Sequence, residues 1–342
     1  MTGEQHAATP TPPERVRRNW RRVVRRTLMT LAGITLTLIL AVTALWQWPT
    51  GFYRVSTFVG RTVCGLRIEV VSVDGKVVPF LANTPPAAGD GSANAPTPIL
   101  FLHGYGTSKE AMMAQIRWFS SSAQVIAPDL PAFGDNPLAR GEAALTGEEY
   151  VQWIEDFRIA AKLPRVDVIG ESMGGALAAA YAAKFPESVR RVVLESPAGL
   201  TPPHENALMK SLAQGTSSLD IRSDDDFERV LHLCFVHPPH VPAPIRRYLV
   251  AKSAARVENH PEILQTLGPF LGGGLEPSLG SIRAPTLVIY GDRDQITDCS
   301  MLPLFVDGIS GSQGMLIPGA GHVVFADAPS EVRSAVRSFL DR

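Results

Sequence analysis

Six residues constrain this chain more than any others: Gly170-Glu171-Ser172-Met173-Gly174-Gly175. They stand between a short apolar run at 166–169 and an alanine-rich, helix-like stretch at 176–184. A serine between glycines at a strand-to-helix reversal sits in a turn so tight that flanking side chains would collide with the strand and the helix. The same turn sets the serine at the positive end of the helix, beside backbone N–H groups. A bare Gly-x-Ser-x-Gly is an ordinary turn in many chains. The strand before it and the helix after it give Ser172 the reading of a nucleophile.

The surrounding pattern supplies a scaffold for that turn. Apolar runs at 99–102, 125–127, 166–169, 192–194, 286–290 and 315–317 alternate with helix-like stretches such as 147–161, 176–184 and 330–340. Short buried strands alternating with helices predict a mostly parallel, doubly wound α/β sheet. Runs at 66–73 and 77–81 flank Asp74-Gly75, a hairpin signal. Residues 83–98 are turn formers and predict a surface loop. From 199 to 280 no buried strand is legible, only helical pieces and prolines. An unstructured loop of that length is rare, so the stretch predicts a helical cap over the strand ends, where α/β sheets bind ligands. The expected division is a core of 49–198 and 281–342 with a cap of 199–280.

Partners for Ser172 come in the order Ser, Asp, His. Asp294 lies in Gly291-Asp292-Arg293-Asp294, after the 286–290 run, and His322 lies in Gly319-Ala320-Gly321-His322, after the 315–317 run. Both fall at strand carboxyl ends, the edge that also carries Ser172. His322 is the only histidine beyond Asp294. Asp292 and Asp298 are rival acids; Asp292, nearer the strand end, is better placed to shape the turn. The expected roles are Ser172 as nucleophile, His322 as general base and then acid, and Asp294 as its orienting carboxylate. The backbone N–H groups of Met173 and Tyr105 are the expected oxyanion donors. His103 reads as a brace for the oxyanion loop and Asp129 as a turn residue. His204, His232, His237, His240 and His260, within the expected cap, are assigned no chemistry.

Composition excludes several classes. Thirty-two basic against thirty-three acidic residues leave no global field for nucleic acid. Cys64, Cys234 and Cys299 are far apart, without the spacing of a zinc site or a disulfide framework. No dinucleotide fingerprint, P-loop or metal cluster is present, so no cofactor is expected.

The N-terminus points to a membrane. Residues 1–27 carry seven arginines and read as a disordered basic tail. Residues 28–48, LMTLAGITLTLILAVTALWQW, hold no charge, and about 20 apolar residues suffice to cross a bilayer. Trp46 and Trp48 close the stretch where an interfacial aromatic belt would lie. A retained, single-pass signal anchor is the favoured reading. The arginine excess then puts the N-terminus in the cytoplasm and the catalytic domain on the opposite side. The alternatives are export after cleavage near Val42-Thr43-Ala44, with a loose likeness to a twin-arginine signal around Arg25-Arg26, and a buried core helix.

Taken together, HGYGTSK, PDLPAFGDN, GESMGGALA, SPAGL, GDRDQITD and GAGH resemble the α/β-hydrolase superfamily. SMGG, PAGL and FVHPPHVPAPIRRYL narrow the resemblance to membrane-anchored monoacylglycerol lipases and similar bacterial lipases. That resemblance runs from about residue 66 to the C-terminus. It implies the α/β-hydrolase fold and hydrolysis of acylglycerols or other fatty esters, with a lipid ester substrate and a membrane as partners. Leu208, Leu212, Phe235, Tyr248, Leu249 and Phe270 would either line an acyl site or pack the cap. The rival functions are a Ser-His-Asp carbon–carbon bond hydrolase and a non-catalytic binding protein on the same fold.

Overall fold

The computed structural model describes residues 14–83, 97–139, 141–204, 207–213 and 217–341. Residues 1–13 of the expected tail, nearly all of the 83–98 loop and the side chain of Leu212 lie outside that set.

The chain begins with helix α1, Glu14–Gln47. The expected disordered tail is therefore helical from Glu14 onward. The apolar run supplies a long propagating helix, and arginines, which are good helix formers, extend it without a new nucleation cost. Asn19–Gln47 is long and apolar enough to cross a membrane, and none of it is buried in the protein. The uncharged stretch of 28–48 spans roughly 31 Å, the thickness of a hydrocarbon core. Its polar side chains are partly self-satisfied: the hydroxyls of Thr30, Thr37 and Thr43 donate to the carbonyls of Arg26, Gly33 and Ile39, one turn back. Trp48 separates α1 from helix α2, Pro49–Val63, whose proline stands at the first turn, where its missing N–H costs nothing.

Among the described residues an eight-stranded sheet comes next: β1 Leu66–Val73, β2 Lys76–Asn83, β3 Ile99–Leu102, β4 Val125–Pro128, β5 Val166–Glu171, β6 Val189–Glu195, β7 Thr286–Gly291 and β8 Gln313–Ile317, in the order β1-β2-β4-β3-β5-β6-β7-β8. β1 and β2 form the expected hairpin; Asp74 and Gly75 both take positive φ, 50° and 78°, as a two-residue turn matched to strand twist requires. The β1–β2 and β2–β4 pairings are antiparallel, and the pairings of β3 with β4 and β5, β5 with β6, β6 with β7 and β7 with β8 are parallel. β3, β4, β5 and β7 are buried at every position, because both sheet faces are covered. Alternate residues serve the two sides. Leu100, Leu102, Val168 and Val288 join the layer with Tyr150, Phe157 and Tyr181; Ile99, Phe101, Ile169 and Ile289 join Phe119, Val332 and Phe339.

The strand order has one consequence for function. From β3 the chain steps outward to β4, then returns across β3 to β5. The loops after β3 and β5 therefore diverge and leave a crevice at the strand ends, the topological switch point of an open α/β sheet. Between β6 and β7 the described residues hold no strand. Helices Ala207–Ala213, Asp224–Cys234, Ala243–Ala254 and His260–Pro269 fill the interval.

Lys109 anchors the β4 end of this arrangement. Its ammonium is fully buried, 2.6 Å from Asp129 Oδ2 and 2.9 Å from Asp135 Oδ2. Burial alone would lower its pKa; the carboxylates of Asp129, Glu110 and Asp135 outweigh that and raise it. Asp129 also accepts from the backbone N–H groups of Lys109 and Asp135, so it is a structural hub rather than a simple turn former. Removing one partner strands a buried charge. Lys109→Ala is expected to cost about 3–5 kcal/mol, read as a lowered guanidinium midpoint of unfolding.

Candidate active site

Ser172 stands between β5 and the Met173–Lys184 helix with φ 56° and ψ −117°, a conformation that strains any residue with a side chain. Its surroundings hold it there. The Ser172 N–H donates to Glu195 O at 2.9 Å, and its carbonyl accepts from Ala176 and Ala198. The glycines answer a steric need. A Cβ on Gly170 would strike the Gly174 carbonyl, and one on Gly174 would strike the Leu102 carbonyl at the end of β3. The helix thus lies directly against two strands. Met173, its first residue, has no intrahelical partner for its N–H.

The β3 loop closes on the same point. A Cβ on Gly104 would lie 3.3 Å from the Ser172 Cβ, so Tyr105 follows a backbone pressed against the serine. His103 holds that loop: its Nε2 accepts from the Leu130 N–H at 3.0 Å, and its Nδ1 lies 2.9 Å from Gly104 O. Burial lowers the pKa of His103, which keeps it neutral and able to accept. Tyr105 packs edge-on against Phe133 and His260, and its buried hydroxyl has no hydrogen-bond partner among the described residues.

His322 and Asp294 meet across the loops after β8 and β7. Nδ1 of His322 lies 2.9 Å from Asp294 Oδ2 and 3.1 Å from Oδ1. Both residues are buried, at 4% and 8% exposure, so the pair is shielded from water. Asp294 is immobilised: Oδ1 accepts from the N–H groups of Ile296 and Thr297, and Oδ2 accepts from the Thr297 hydroxyl at 2.7 Å. A proton on Nδ1 satisfies the carboxylate and leaves Nε2 as the basic nitrogen. Burial pulls the His322 pKa down, but the Asp294 charge and hydrogen bond, with Glu171, outweigh it and raise it above the ordinary imidazole value. The rival acids are engaged elsewhere. Asp292 accepts from Gly319 N–H at 2.7 Å, joining the β7 and β8 loops, and Asp298 accepts from Ser300 N–H.

Two residues of this site have no role in the sequence pattern. Thr297, three positions after Asp294, fixes the carboxylate; an acid with Thr at that spacing is the available signal. Glu171 fills the variable position of the serine turn. Its Oε1 lies 3.6 Å from His322 Nε2, and its carboxylate accepts from the Gly104 N–H. Burial raises its pKa, and behind it burial pushes Glu195 up to about 8, against a hydrogen bond donated by Gln115.

The helical interval between β6 and β7 is bolted to the His322 loop. Cys234 O accepts from Val323 N–H at 3.1 Å, and Asp327 accepts from the N–H groups of Val236, His237 and Gly321. Burial pushes the Cys234 thiol up to about 12, which keeps it unreactive. Of the apolar residues expected to line an acyl site or pack the cap, Tyr248 stacks on Tyr53 of α2 at 4.0 Å and Phe270 packs over Gly147, so those two rings serve packing. Among the described residues no cluster of His, Cys, Asp and Glu is arranged for a metal ion.

This fold and site define a class. A family model described as alpha/beta hydrolase fold matches residues 97–329, and the chain belongs to that family. Among curated proteins it is similar to monoacylglycerol lipase abhd6-B of Xenopus laevis, 24% identical over 91% of this chain and 93% of the relative. It is also similar to lipase 1 of Psychrobacter immobilis, 26% identical over 71% of this chain and 76% of the relative. A solved structure of a bacterial membrane phospholipase A superimposes with a TM-score of 0.79 at 31% identity, covering 92% of this chain and 98% of the other.

The geometry around Nε2 yields a test. The Glu171 carboxylate raises the pKa of His322, so Glu171→Gln is expected to lower it. NMR titration of the His322 ring protons measures the shift; an unchanged midpoint would show that Glu171 does not act on the imidazole.

Proposed function

We propose that this chain hydrolyses the carboxylic ester of a monoacylglycerol or similar acylglycerol through an acyl-enzyme on Ser172. One observation carries the reading: an imidazole fixed at Nδ1 by an immobilised carboxylate, with its basic Nε2 turned toward the strained serine turn. In a carboxylic ester hydrolase each of these groups has a task. Ser172 Oγ attacks the ester carbonyl while His322 Nε2 takes its proton. Asp294 stabilises the imidazolium. The N–H groups of Met173 and Tyr105 hold the oxyanion, and His322 returns the proton to the departing glycerol oxygen. Water then attacks the acyl-enzyme by the same route and releases the fatty acid.

The lipid assignment draws on two supports. Relatives with matching length carry the names monoacylglycerol lipase and lipase. The helix at Asn19–Gln47 would hold the domain at a bilayer, where such esters reside. In this reading α1 is retained, its arginines face the cytoplasm and the hydrolase domain lies on the opposite side.

The test is a panel of monoacylglycerols and nitrophenyl esters of graded chain length, with the detergent-solubilised full chain. Monoacylglycerol turnover is expected, with a loss of roughly a thousandfold or more in Ser172→Ala. Turnover of short synthetic esters alone would overturn the lipid assignment. Full activity in Ser172→Ala would overturn the mechanism.

The reaction needs neutral His322, and its raised pKa fixes the sign of the pH dependence. kcat/KM should fall as pH drops through a value above the usual imidazole range. A pH–rate profile with its acid limb below about 6 would contradict the assigned base.

A further inference from the structure

Helix α2 is amphipathic in the wrong sense for a surface helix of a soluble protein. Tyr53, Thr57, Gly60, Arg61 and Cys64 lie on the side facing the domain. Tyr53 stacks on Tyr248, Gly60 lies against Met113, Arg61 lies 3.6 Å from Glu110, and the Cys64 thiol faces Met113 O. The outward side carries Val55, Phe58, Val59 and Val63, at 46%, 63%, 51% and 63% exposure. The spacing i, i+3, i+4, i+8 makes these one continuous stripe, the pattern by which helices bury an apolar face. Here that face is turned away from the protein. Thr62, a polar neighbour of the stripe, donates its hydroxyl to its own helix at Phe58 O. Trp48, 59% exposed, lies over Gly51 and extends the stripe toward α1.

We propose that this stripe is a docking face for the bilayer surface, so that α2 lies in the membrane interface with Val55, Phe58, Val59 and Val63 among the lipid chains. The inference rests on the reading of α1 as a membrane span. α1 ends at Gln47 and α2 begins at Pro49, so α2 emerges where the span leaves the hydrocarbon. Continuity with that span selects lipid as the occupant. An apolar helix face with an exposed arginine at its edge, here Arg54, is the composition of a helix seated at the headgroup boundary. The arrangement would also set the cap. α2 holds the Ala243–Ala254 helix through the Tyr53–Tyr248 stack, and Arg247 donates to Trp46 O at 3.0 Å. The cap would therefore stand against the lipid surface, where an acylglycerol could pass to the serine without entering bulk water.

Spin labelling of the full chain in phosphatidylcholine–phosphatidylglycerol liposomes tests this. The three cysteines are replaced by serine, and labels are placed singly at Val59→Cys, Leu38→Cys in the span and Arg333→Cys on the domain surface. Collision rates with oxygen, which partitions into lipid, are compared with those of a water-soluble nickel chelate. The expected result is oxygen dominance at both Val59 and Leu38, against nickel dominance at Arg333. Nickel dominance at Val59 with oxygen dominance at Leu38 would overturn the docking face and leave the anchor standing. Low rates for both reagents at Val59 would overturn it in favour of a protein partner such as a second copy of this chain. Nickel dominance at Leu38 would remove the anchor and the docking face together.

Discussion

The contact on which this site depends is the approach of one helix to two strands at glycine positions. Gly174 brings the Met173–Lys184 helix against the β3 carbonyl, and Gly170 lets the helix return over β5. A side chain at either place would push the helix away and relax the Ser172 turn. Because the helix is held so close, its first N–H, the serine and the β3 loop share one small volume. Overpacking of this kind commonly costs about 1–3 kcal/mol in stability, and here the displacement would fall on the Ser172 turn itself.

Two further layers fix the remaining groups. The hydrogen bonds that Asp294 accepts from Ile296, Thr297 and His322 allow it one position, and that position sets the imidazole. On the opposite side, Glu171 joins His322 Nε2 to the Gly104 N–H, so one buried carboxyl links the imidazole to the loop after β3. The helices between β6 and β7 are tied into the same unit through Asp327 and Cys234, while the Ala243–Ala254 helix among them rests on α2. The route from the N-terminal helix to the site therefore passes through packed side chains and hydrogen bonds.

The N-terminal helices obey a different solvent logic from the sheet. The central strands are buried on both faces and need no surrounding phase. α1 exposes Leu28, Leu31, Ile34, Leu38, Ile39 and Val42, and α2 continues that apolar surface along the domain. Exposed apolar stretches of this size mark an interaction surface.

The strands, the hairpin turn, the serine turn and the helical interval are legible in the residues alone, because each arises from local periodicity or from a steric demand on glycine. Strand ends shifted by a residue or more, as at β6 and β8, where pairing with a neighbour extends a run that local hydrophobicity does not mark. The arginine block read as a disordered tail and is helical, since a helix nucleated in the adjoining apolar run propagates back through it. Tertiary structure alone decided that Asp294 rather than Asp292 or Asp298 reaches His322, and that Thr297 and Glu171 belong to the site. It also turned the apolar side of α2 outward and gave Tyr248 to Tyr53 and Phe270 to Gly147. These are distances between residues far apart in sequence, or the direction a helix face takes, and no local pattern encodes either.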